Sequence, residues 1–326
     1  MARVHPPDPD SLLQALQPVL EVLTKEPDYL RPHDVNGQPG GLVRLSPVRT
    51  TVVTPDIHAR MPVVRTLIEM PVADAAGNVA PLIEQLQQGK AQLVCVGDYV
   101  HGEQRAADRW RQAMQEFLGG FASRTAMDEE MRESLGTIEM LACIKAAFPE
   151  AVHLLKGNHE NIRNQEGHGN HAFGKFAYEG QMVADYMEKF YPPQVIDAID
   201  HFEQNLPLLT IGAHFLVSHA EPKRMFSPGE IRDYRVFPEV IEGLTWTANG
   251  DADEGSVAAM LHYYMDSDDP EELSRLFYFA GHRPVSGLFS TRADGRLIQL
   301  HNPSIGIAAV IHPDRTFDPE QDIVCI

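Results

Sequence analysis

The chain has 326 residues, of which 43% are hydrophobic and 22% charged, so it can form one large globular domain or two small ones. Its net charge of -19 argues against a nucleic-acid backbone or an anionic membrane as partner. Three cysteines fit no disulfide framework or zinc knuckle, and Cys95 and Cys143 are predicted to be buried thiols. The N-terminus lacks an apolar signal core and no apolar stretch is long enough to span a membrane, so we expect a cytoplasmic protein.

Residues 1–48 are predicted to be a helical lead-in, with a helix from Ser11 to Leu23 and Ser11 as its N-cap. Residues 49–326 are predicted to form the main domain. Its first half alternates between strand and helix, which is typical of parallel strands. The predicted elements are Thr50–Thr54, helices from about Pro62 and Ala80, Leu93–Val96, a helix over Asp128–Ala147, and Val152–Leu155.

The second half is richer in strands and carries the hairpin signal Asp294-Gly295. Its predicted strands include the hairpin Leu209–Gly212 and Phe215–Val217, then Phe277–Ala280, Gly287–Phe289, Leu297–Leu300 and Ile305–Ile311. A parallel first half and an antiparallel second half indicate an α/β fold in which two sheets pack face to face, with helices outside.

Five short segments rich in histidine and acidic residues carry the chemistry, and most of them follow a predicted strand. Side chains at the carboxyl ends of strands in an α/β sheet gather at one edge, where such proteins build their sites. The combination of Asp, Asn and His suits Mn, Fe, Zn or Co better than Mg or Ca. The segments are Asp56-Ile57-His58, Gly97-Asp98-Tyr99-Val100-His101-Gly102, Gly157-Asn158-His159-Glu160, Ser218-His219-Ala220 and Gly281-His282-Arg283-Pro284.

These segments predict a site for two divalent metal ions, with manganese as the first choice. Asp56 and His58 are predicted to bind the first metal, and Asp98 to bridge both. The second metal would then be held by Asn158, His219 and His282. His159 follows a ligand without being one itself, which makes it the candidate general acid. His301 ends a late strand, so it either lines this site or is structural.

The set resembles the calcineurin-like metallophosphoesterases, and within them the phosphoprotein phosphatase (serine/threonine phosphatase) type. The resemblance runs from about Thr50 to about Ile311. It implies a four-layer β-sandwich (α/β, or α+β in some schemes) with helices on both outer faces, two metals, and attack on phosphorus by metal-bound hydroxide without a phosphoenzyme. Beyond the ligands, it rests on Ser134–Ile138, Phe148-Pro149-Glu150, Leu154–Glu160, Leu206-Pro207-Leu208, Glu230-Ile231-Arg232 and Leu244-Thr245-Trp246.

The chain departs from that family where His101-Gly102 replaces an Asp-Arg pair. In the family the Asp orients the general-acid histidine and the Arg binds phosphate, so both tasks need other residues here. Candidates to orient His159 are Glu103 and Glu160. Candidates to contact the substrate phosphate are Arg60 (the first choice), Arg105, Lys156 and His101 itself.

Residues 103–130 form an apparent insertion relative to the family. Residues Gln104 to Phe117 have the pattern of an amphipathic helix, with Trp110, Met114 and Phe117 on one stripe. The helix is predicted either to cover the sheet from outside or to act as a lid over the site.

The predicted function is hydrolysis of a phosphoric ester at a dinuclear metal centre, with Asp98 and His159 as catalytic residues. The substrate would be a phosphoprotein or a small phosphoester, and a dinucleoside polyphosphate is the enzymatic alternative. A non-catalytic metal-binding relative is the hypothesis of a different class, although a scaffold would not need His159. The sequence does not predict the oligomeric state.

Overall fold

The computed structural model describes residues 5–266 and 269–326 of the chain. Its helices are α1 (Pro9–Lys25), α2 (Met61–Glu69), α3 (Leu82–Gln87), α4 (Ala107–Leu118), α5 (Thr125–Ala147), α6 (Glu179–Phe190), α7 (Pro193–Gln204), α8 (Pro228–Arg232), α9 (Pro238–Thr245), α10 (Ser256–Met265), α11 (Pro270–Leu273) and α12 (Pro319–Asp322). Its strands are β1 (Leu42–Arg44), β2 (Thr50–Thr54), β3 (Pro71–Ala73), β4 (Val79–Pro81), β5 (Ala91–Cys95), β6 (Val152–Leu154), β7 (Leu209–Ile211), β8 (Phe215–Ser218), β9 (Phe277–Ala280), β10 (Ser290–Arg292), β11 (Leu297–Gln299), β12 (Ile307–Ile311) and β13 (Ile323–Cys325).

The first sheet has the strand order β13-β12-β2-β5-β6. Strands β2, β5 and β6 are parallel, as predicted, and the helices between them supply the crossovers that parallel strands need. Strand β12 runs antiparallel to β2 and joins the C-terminal part of the chain to this sheet. Every residue of β2 and β5 is buried, which explains why β2 is entirely β-branched and β5 is apolar apart from Gln92.

The second sheet has the order β1-β7-β8-β9-β11-β10 and is mixed rather than antiparallel. Strand β8 pairs in parallel with β9, and β9 in parallel with β11. The prediction of an antiparallel second half was wrong because α8 to α11 lie between β8 and β9 and form a long crossover. Two hairpins, β7–β8 and β10–β11, are antiparallel as expected. Strand β1 comes from the predicted lead-in and pairs with β7.

The two sheets face each other, and helices cover both outer faces. One apolar cluster fills the space between the sheets, with Val53 and Val94 from the first sheet and Val217 and Phe279 from the second. A second cluster packs α1, α2 and α4 to α7 on the outside of the first sheet. A third packs α8, α9 and α10 on the outside of the second. The predicted four-layer α/β sandwich is therefore confirmed.

Several local predictions need correction. Helix α1 begins two residues before Ser11, and its N-cap is Asp8, whose carboxylate accepts a hydrogen bond from the Ser11 amide at 3.0 Å. The hairpin β3–β4 lies between the two early helices, and the predicted strand at 287–289 begins only at residue 290. Cys95 is buried but Cys143 is exposed, because it lies on the solvent-facing stripe of α5. In the described residues, no helix is both long and apolar enough to cross a membrane.

Candidate metal centre

All the predicted metal ligands meet at one edge of the sandwich. Each lies in a loop directly after a strand, namely β2, β5, β6, β8 or β9. Parallel strands of both sheets end at this edge, so residues separated by more than 200 positions become neighbours. Buried there are Asp56, His58, Asp98, Asn158 and His219, with His282 half-buried.

Two glycines allow the loops after β5 and β6 to touch. A Cβ atom at Gly97 would lie 2.4 Å from the Gly157 nitrogen, and one at Gly157 would lie 2.2 Å from Oδ1 of Asp98. Neither loop therefore tolerates a side chain at its glycine.

Backbone strain also gathers at this edge. Positive φ angles, which are uncommon in residues other than glycine, occur at His58 (45°), Ala59 (59°), Asp98 (51°), His101 (62°) and His282 (62°). Such strain persists where surrounding contacts hold the backbone, and it is typical of functional sites.

Glu160 fastens two of these loops together. Its carboxylate accepts hydrogen bonds from the amides of Asp98 (2.9 Å), Tyr99 (2.8 Å) and Gly157 (2.7 Å). In the other direction, the His159 amide donates to Oδ1 of Asp98 at 3.0 Å. Glu160 therefore positions the loops of Asp98 and Asn158 and does not orient the ring of His159, as the sequence had suggested it could.

The first cluster of candidate ligands contains Asp56, His58 and Asp98. Nε2 of His58 lies 3.6 Å from Oδ2 of Asp98 and 3.9 Å from Oδ2 of Asp56. The Nδ1 atom of the same ring faces away from the carboxylates, 3.1 Å from the His101 carbonyl oxygen. His301 joins this cluster, with Nδ1 3.5 Å from Oδ2 of Asp56.

The second cluster shares Asp98 with the first. Nε2 of His219 lies 3.5 Å from Oδ2 of Asp98 and 3.0 Å from Oδ1 of Asn158. Nδ1 of His282 lies 2.9 Å from the same Asn158 oxygen. Asp98 thus has candidate ligands on both sides, which is the arrangement expected of a bridging carboxylate.

These distances fit bound divalent cations. A cation about 2.1 Å from each of its ligands separates adjacent ligand atoms by about 3.0 Å in an octahedron and about 3.4 Å in a tetrahedron. The separations in the two clusters run from 2.9 to 3.9 Å. A donor set of imidazole, carboxylate and amide oxygen matches a borderline divalent metal.

The electrostatics of the clusters also favour cations. Burial, followed by the charges of Asp56 and Glu160, raises the pKa of Asp98 well above its usual value. Burial likewise raises the pKa of Asp56. It lowers the pKa of His58 and of His282 to about 3, so both rings are neutral, the form that binds metals. Two buried carboxylates without positive charge are costly, and divalent cations would offset that cost.

His159 lies beside both clusters with its ring held by an unexpected partner. Its Nδ1 atom is 3.0 Å from Nδ1 of His101, so the two rings share a hydrogen bond. Its Nε2 atom is 3.7 Å from Oδ2 of Asp98. The orienting partner of His159 is therefore His101, and not Glu103 or Glu160. His101 is buried behind His159, so the contacts also do not support His101 as a residue that binds substrate.

An aromatic side chain covers both histidines. The Phe173 ring centroid is 3.8 Å from that of His159, and the ring stacks on His101 at 5.4 Å. No sequence pattern marked Phe173, because it belongs to a long loop between β6 and α6.

The cationic side chains predicted to bind phosphate make hydrogen bonds and ion pairs within the protein. Arg60 donates to the carbonyl oxygens of Asp56, Ile57, Asn302 and Ile305, and so holds the metal-site loops together. Arg105 pairs with Glu133 and reaches the carbonyls of His58 and Ala59. Lys156 is buried and donates to the Glu160 carbonyl. These contacts give all three a structural role, so Arg60 is not supported as the phosphate ligand.

Two cationic side chains that the sequence did not single out lie close to the site. Nζ of Lys175 is 3.6 Å from Oε1 of Glu103, and the side chain is half-exposed. Arg283 follows His282, and its Nε atom is buried without a hydrogen-bond partner among the described residues. Lys175 is therefore an accessible positive charge close to the site.

The predicted insertion lies against the loop that carries His101. It forms a 3₁₀ turn over Gln104–Ala106 and then α4, which packs on α5. Trp110 is fully buried and its Nε1 donates to the Gly102 carbonyl at 2.7 Å. A Cβ atom at Gly102 would lie 2.7 Å from the side chains of Ala106 and Arg109, so this helix occupies the space of any side chain there. Its burial favours a fixed cover over a mobile lid.

The family model described as calcineurin-like phosphoesterase matches residues 49–295, well over half of the chain. The chain belongs to the calcineurin-like phosphoesterase family. It is accordingly a hydrolase of phosphoric esters, and its buried His/Asp clusters are consistent with the dinuclear metal site of that family. No curated protein matches the sequence significantly.

Solved structures resemble the fold at low sequence identity. A protein serine/threonine phosphatase from Saccharomyces cerevisiae aligns with a TM-score of 0.58 at 14% identity, covering 98% of this chain and 89% of that one. A cold-active protein tyrosine phosphatase aligns with a TM-score of 0.50 at 14% identity, covering 91% and 79%. A putative diadenosine tetraphosphatase gives 0.43 at 15% identity, covering 88% and 97%. The first two likenesses support the fold of this calcineurin-like phosphoesterase, and not a substrate.

Proposed function

We propose that this chain hydrolyses phosphoric monoesters at a centre of two divalent metals, with manganese as the first candidate. The observation that carries the proposal is the position of Asp98, whose Oδ2 atom lies 3.6 Å from His58 and 3.5 Å from His219. Asp56, His58 and Asp98 would hold the first metal, and Asp98, Asn158, His219 and His282 the second. When bound, the two cations would supply a nucleophile at neutral pH and offset negative charge on the phosphate.

His159 is the proposed general acid. His101 holds its Nδ1 atom, so Nε2 is the atom that faces the metal ligands. In its protonated form the His159 ring would deliver the Nε2 proton to the leaving oxygen of the ester. Burial and the neighbouring histidines lower the pKa of His159 well below its usual value, so the protonated ring is a strong acid. Phe173 covers the ring and limits access of bulk water to it. A non-catalytic metal-binding protein would need none of these three side chains in this arrangement.

The substrate is proposed to be a phosphoprotein or a small phosphomonoester. Lys175 is half-exposed close to the site and can attract the phosphate. The aromatic face of Phe173 beside His159 favours a leaving group that packs on an apolar ring. This feature favours aryl esters, including phosphotyrosine, over alkyl esters. Phosphotyrosine peptides, phosphoserine peptides and a dinucleoside polyphosphate, assayed together, separate the alternatives.

The test of the proposed function is turnover of an aryl phosphate by protein stripped of metal and refilled with Mn²⁺. We expect activity that needs the metal and disappears in Asp98→Asn, because this change removes the bridging charge. Asp74→Asn is the matched control, since Asp74 is also buried but lies at the end of β3, which contributes no ligand. Tight metal binding without turnover of any ester would instead support a non-catalytic relative.

A further inference from the structure

His301 is fully buried in the metal-site edge of the fold, yet one nitrogen of its ring has no hydrogen-bond partner among the described residues. It follows β11, in the same position relative to its strand as the other candidate ligands. Among the described residues, its Nδ1 atom has no hydrogen-bond partner, whereas Nε2 lies 2.8 Å from a Glu103 oxygen. Leaving a buried ring nitrogen unsatisfied is costly, so Nδ1 needs a partner that the polypeptide does not provide.

The surroundings of the ring show what that partner would be. Nδ1 of His301 lies 3.5 Å from Oδ2 of Asp56, and its ring centroid is 5.2 Å from that of His58. On its other side, Nε2 lies 2.8 Å from Oε2 of Glu103. Oε1 of Glu103 approaches Nε2 of His58 at 3.5 Å. The ring therefore has one nitrogen facing the first cluster and the other facing a buried carboxylate.

The backbone holds His301 in this place. The His301 carbonyl accepts a hydrogen bond from the Val285 amide at 2.8 Å, and the Leu300 amide donates to Ala280 at 2.9 Å. These bonds tie the end of β11 to the loop of His282, and Arg60 ties the next residues to the loop of Asp56 through the Asn302 carbonyl. These three contacts fix the backbone on both sides of His301 and at His301 itself, so its Cα is held beside the carboxylates.

We propose that His301 is a further protein ligand of the first metal, through Nδ1, and that Glu103 fixes its orientation and tautomer. A carboxylate that accepts from the second nitrogen of a metal-binding histidine strengthens the ligand and positions it. The inference rests on the proposed dinuclear site and extends it, because it gives the first metal Asp56, His58, Asp98 and His301. Glu103 begins the insertion, so this segment would then contribute to metal binding.

The test is metal stoichiometry and affinity, measured without any substrate. Wild-type protein is dialysed against buffers of fixed free Mn²⁺, and bound metal is counted by plasma mass spectrometry. We expect two Mn²⁺ per chain in wild type. In His301→Ala we expect one, or a first-site affinity weakened by more than the roughly 10–100-fold loss typical of changes in a supporting partner. Glu103→Gln should lower the affinity of the first site for Mn²⁺ by about 10–100-fold.

The controls separate this proposal from the function it rests on. His153→Gln changes another buried histidine, in β6, whose ring has no hydrogen-bond partner among the described residues, and should keep both metals. Circular dichroism checks the fold of each variant, and His301→Asn replaces His301→Ala if the latter does not fold. The proposal would be overturned if His301→Ala bound two Mn²⁺ ions with the same affinities as the wild type. Absence of turnover in a wild type that binds two metals would refute the function alone.

Discussion

Glu160 gives the sharpest test of how the metal site is held, because one carboxylate joins two loops. It is buried, and it accepts three backbone hydrogen bonds, two through Oε2 and one through Oε1. Glu160→Gln preserves its shape, but one oxygen becomes an NH₂ group that faces an amide donor. The variant therefore loses one hydrogen bond to a charged acceptor and leaves one buried backbone amide without a partner. Together these losses should lower the free energy of unfolding by about 2–4 kcal/mol.

The assay is thermal unfolding in a chelating buffer, so that metal binding does not add to stability. For a chain of 326 residues, a loss of this size should lower the melting temperature of Glu160→Gln by about 3–6 °C. Glu188→Gln is the control, because Glu188 is exposed on α6. Its melting temperature should equal that of the wild type. A Glu160→Gln variant that melts within about 1 °C of both would refute the role assigned to this carboxylate.

Three further predictions concern the general acid, the binding of the substrate phosphate and the stability of the fold. His159→Gln should slow esters with poor leaving groups about 10²–10⁴-fold with unchanged metal content, whereas loss of metal would contradict its assigned role. Lys175→Met should raise KM for an aryl phosphate about 2–5-fold, and the difference should shrink in high salt. Burial raises the pKa of Glu26, but the charges of Lys145 and Arg31 outweigh burial and hold it at about 2. Because this pKa is depressed, its contribution to stability is complete above the unfolded value of 4.5 and is lost as pH falls through 2. Glu26→Gln should therefore destabilise by about 3 kcal/mol at pH 7 and roughly 1 kcal/mol at pH 3 in urea unfolding, and an equal loss at both pH values would contradict this.

One physical rule allowed the sequence to predict the fold and which residues would lie close together. Parallel strands end at a common edge, so residues that directly follow strands, such as Asp56, Asn158 and His282, were expected to meet there. The structure brings them together, and it places His301 beside them. The same rule applies to His301, which follows β11, so position alone could have assigned it to the site.

The remaining roles depend on contacts that no local pattern shows. Arg60 follows the Asp56 loop and was the first choice for phosphate, but its guanidinium binds carbonyls more than 240 positions away. His101 stands where the family has an aspartate that orients the general-acid histidine. In this structure the His101 ring itself contacts His159. The direction of β9 was also hidden, because strand patterns do not show whether a helical crossover returns the chain in parallel.

Anomalous diffraction from crystals grown with Mn²⁺ would show whether Asp98 bridges two metals. We expect two peaks about 3.5–4 Å apart, on either side of Oδ2 of Asp98. One should be contacted by Asp56, His58 and His301, and the other by Asn158, His219 and His282. A single peak, or two peaks that Asp98 does not bridge, would contradict the dinuclear centre on which the proposed hydrolysis depends.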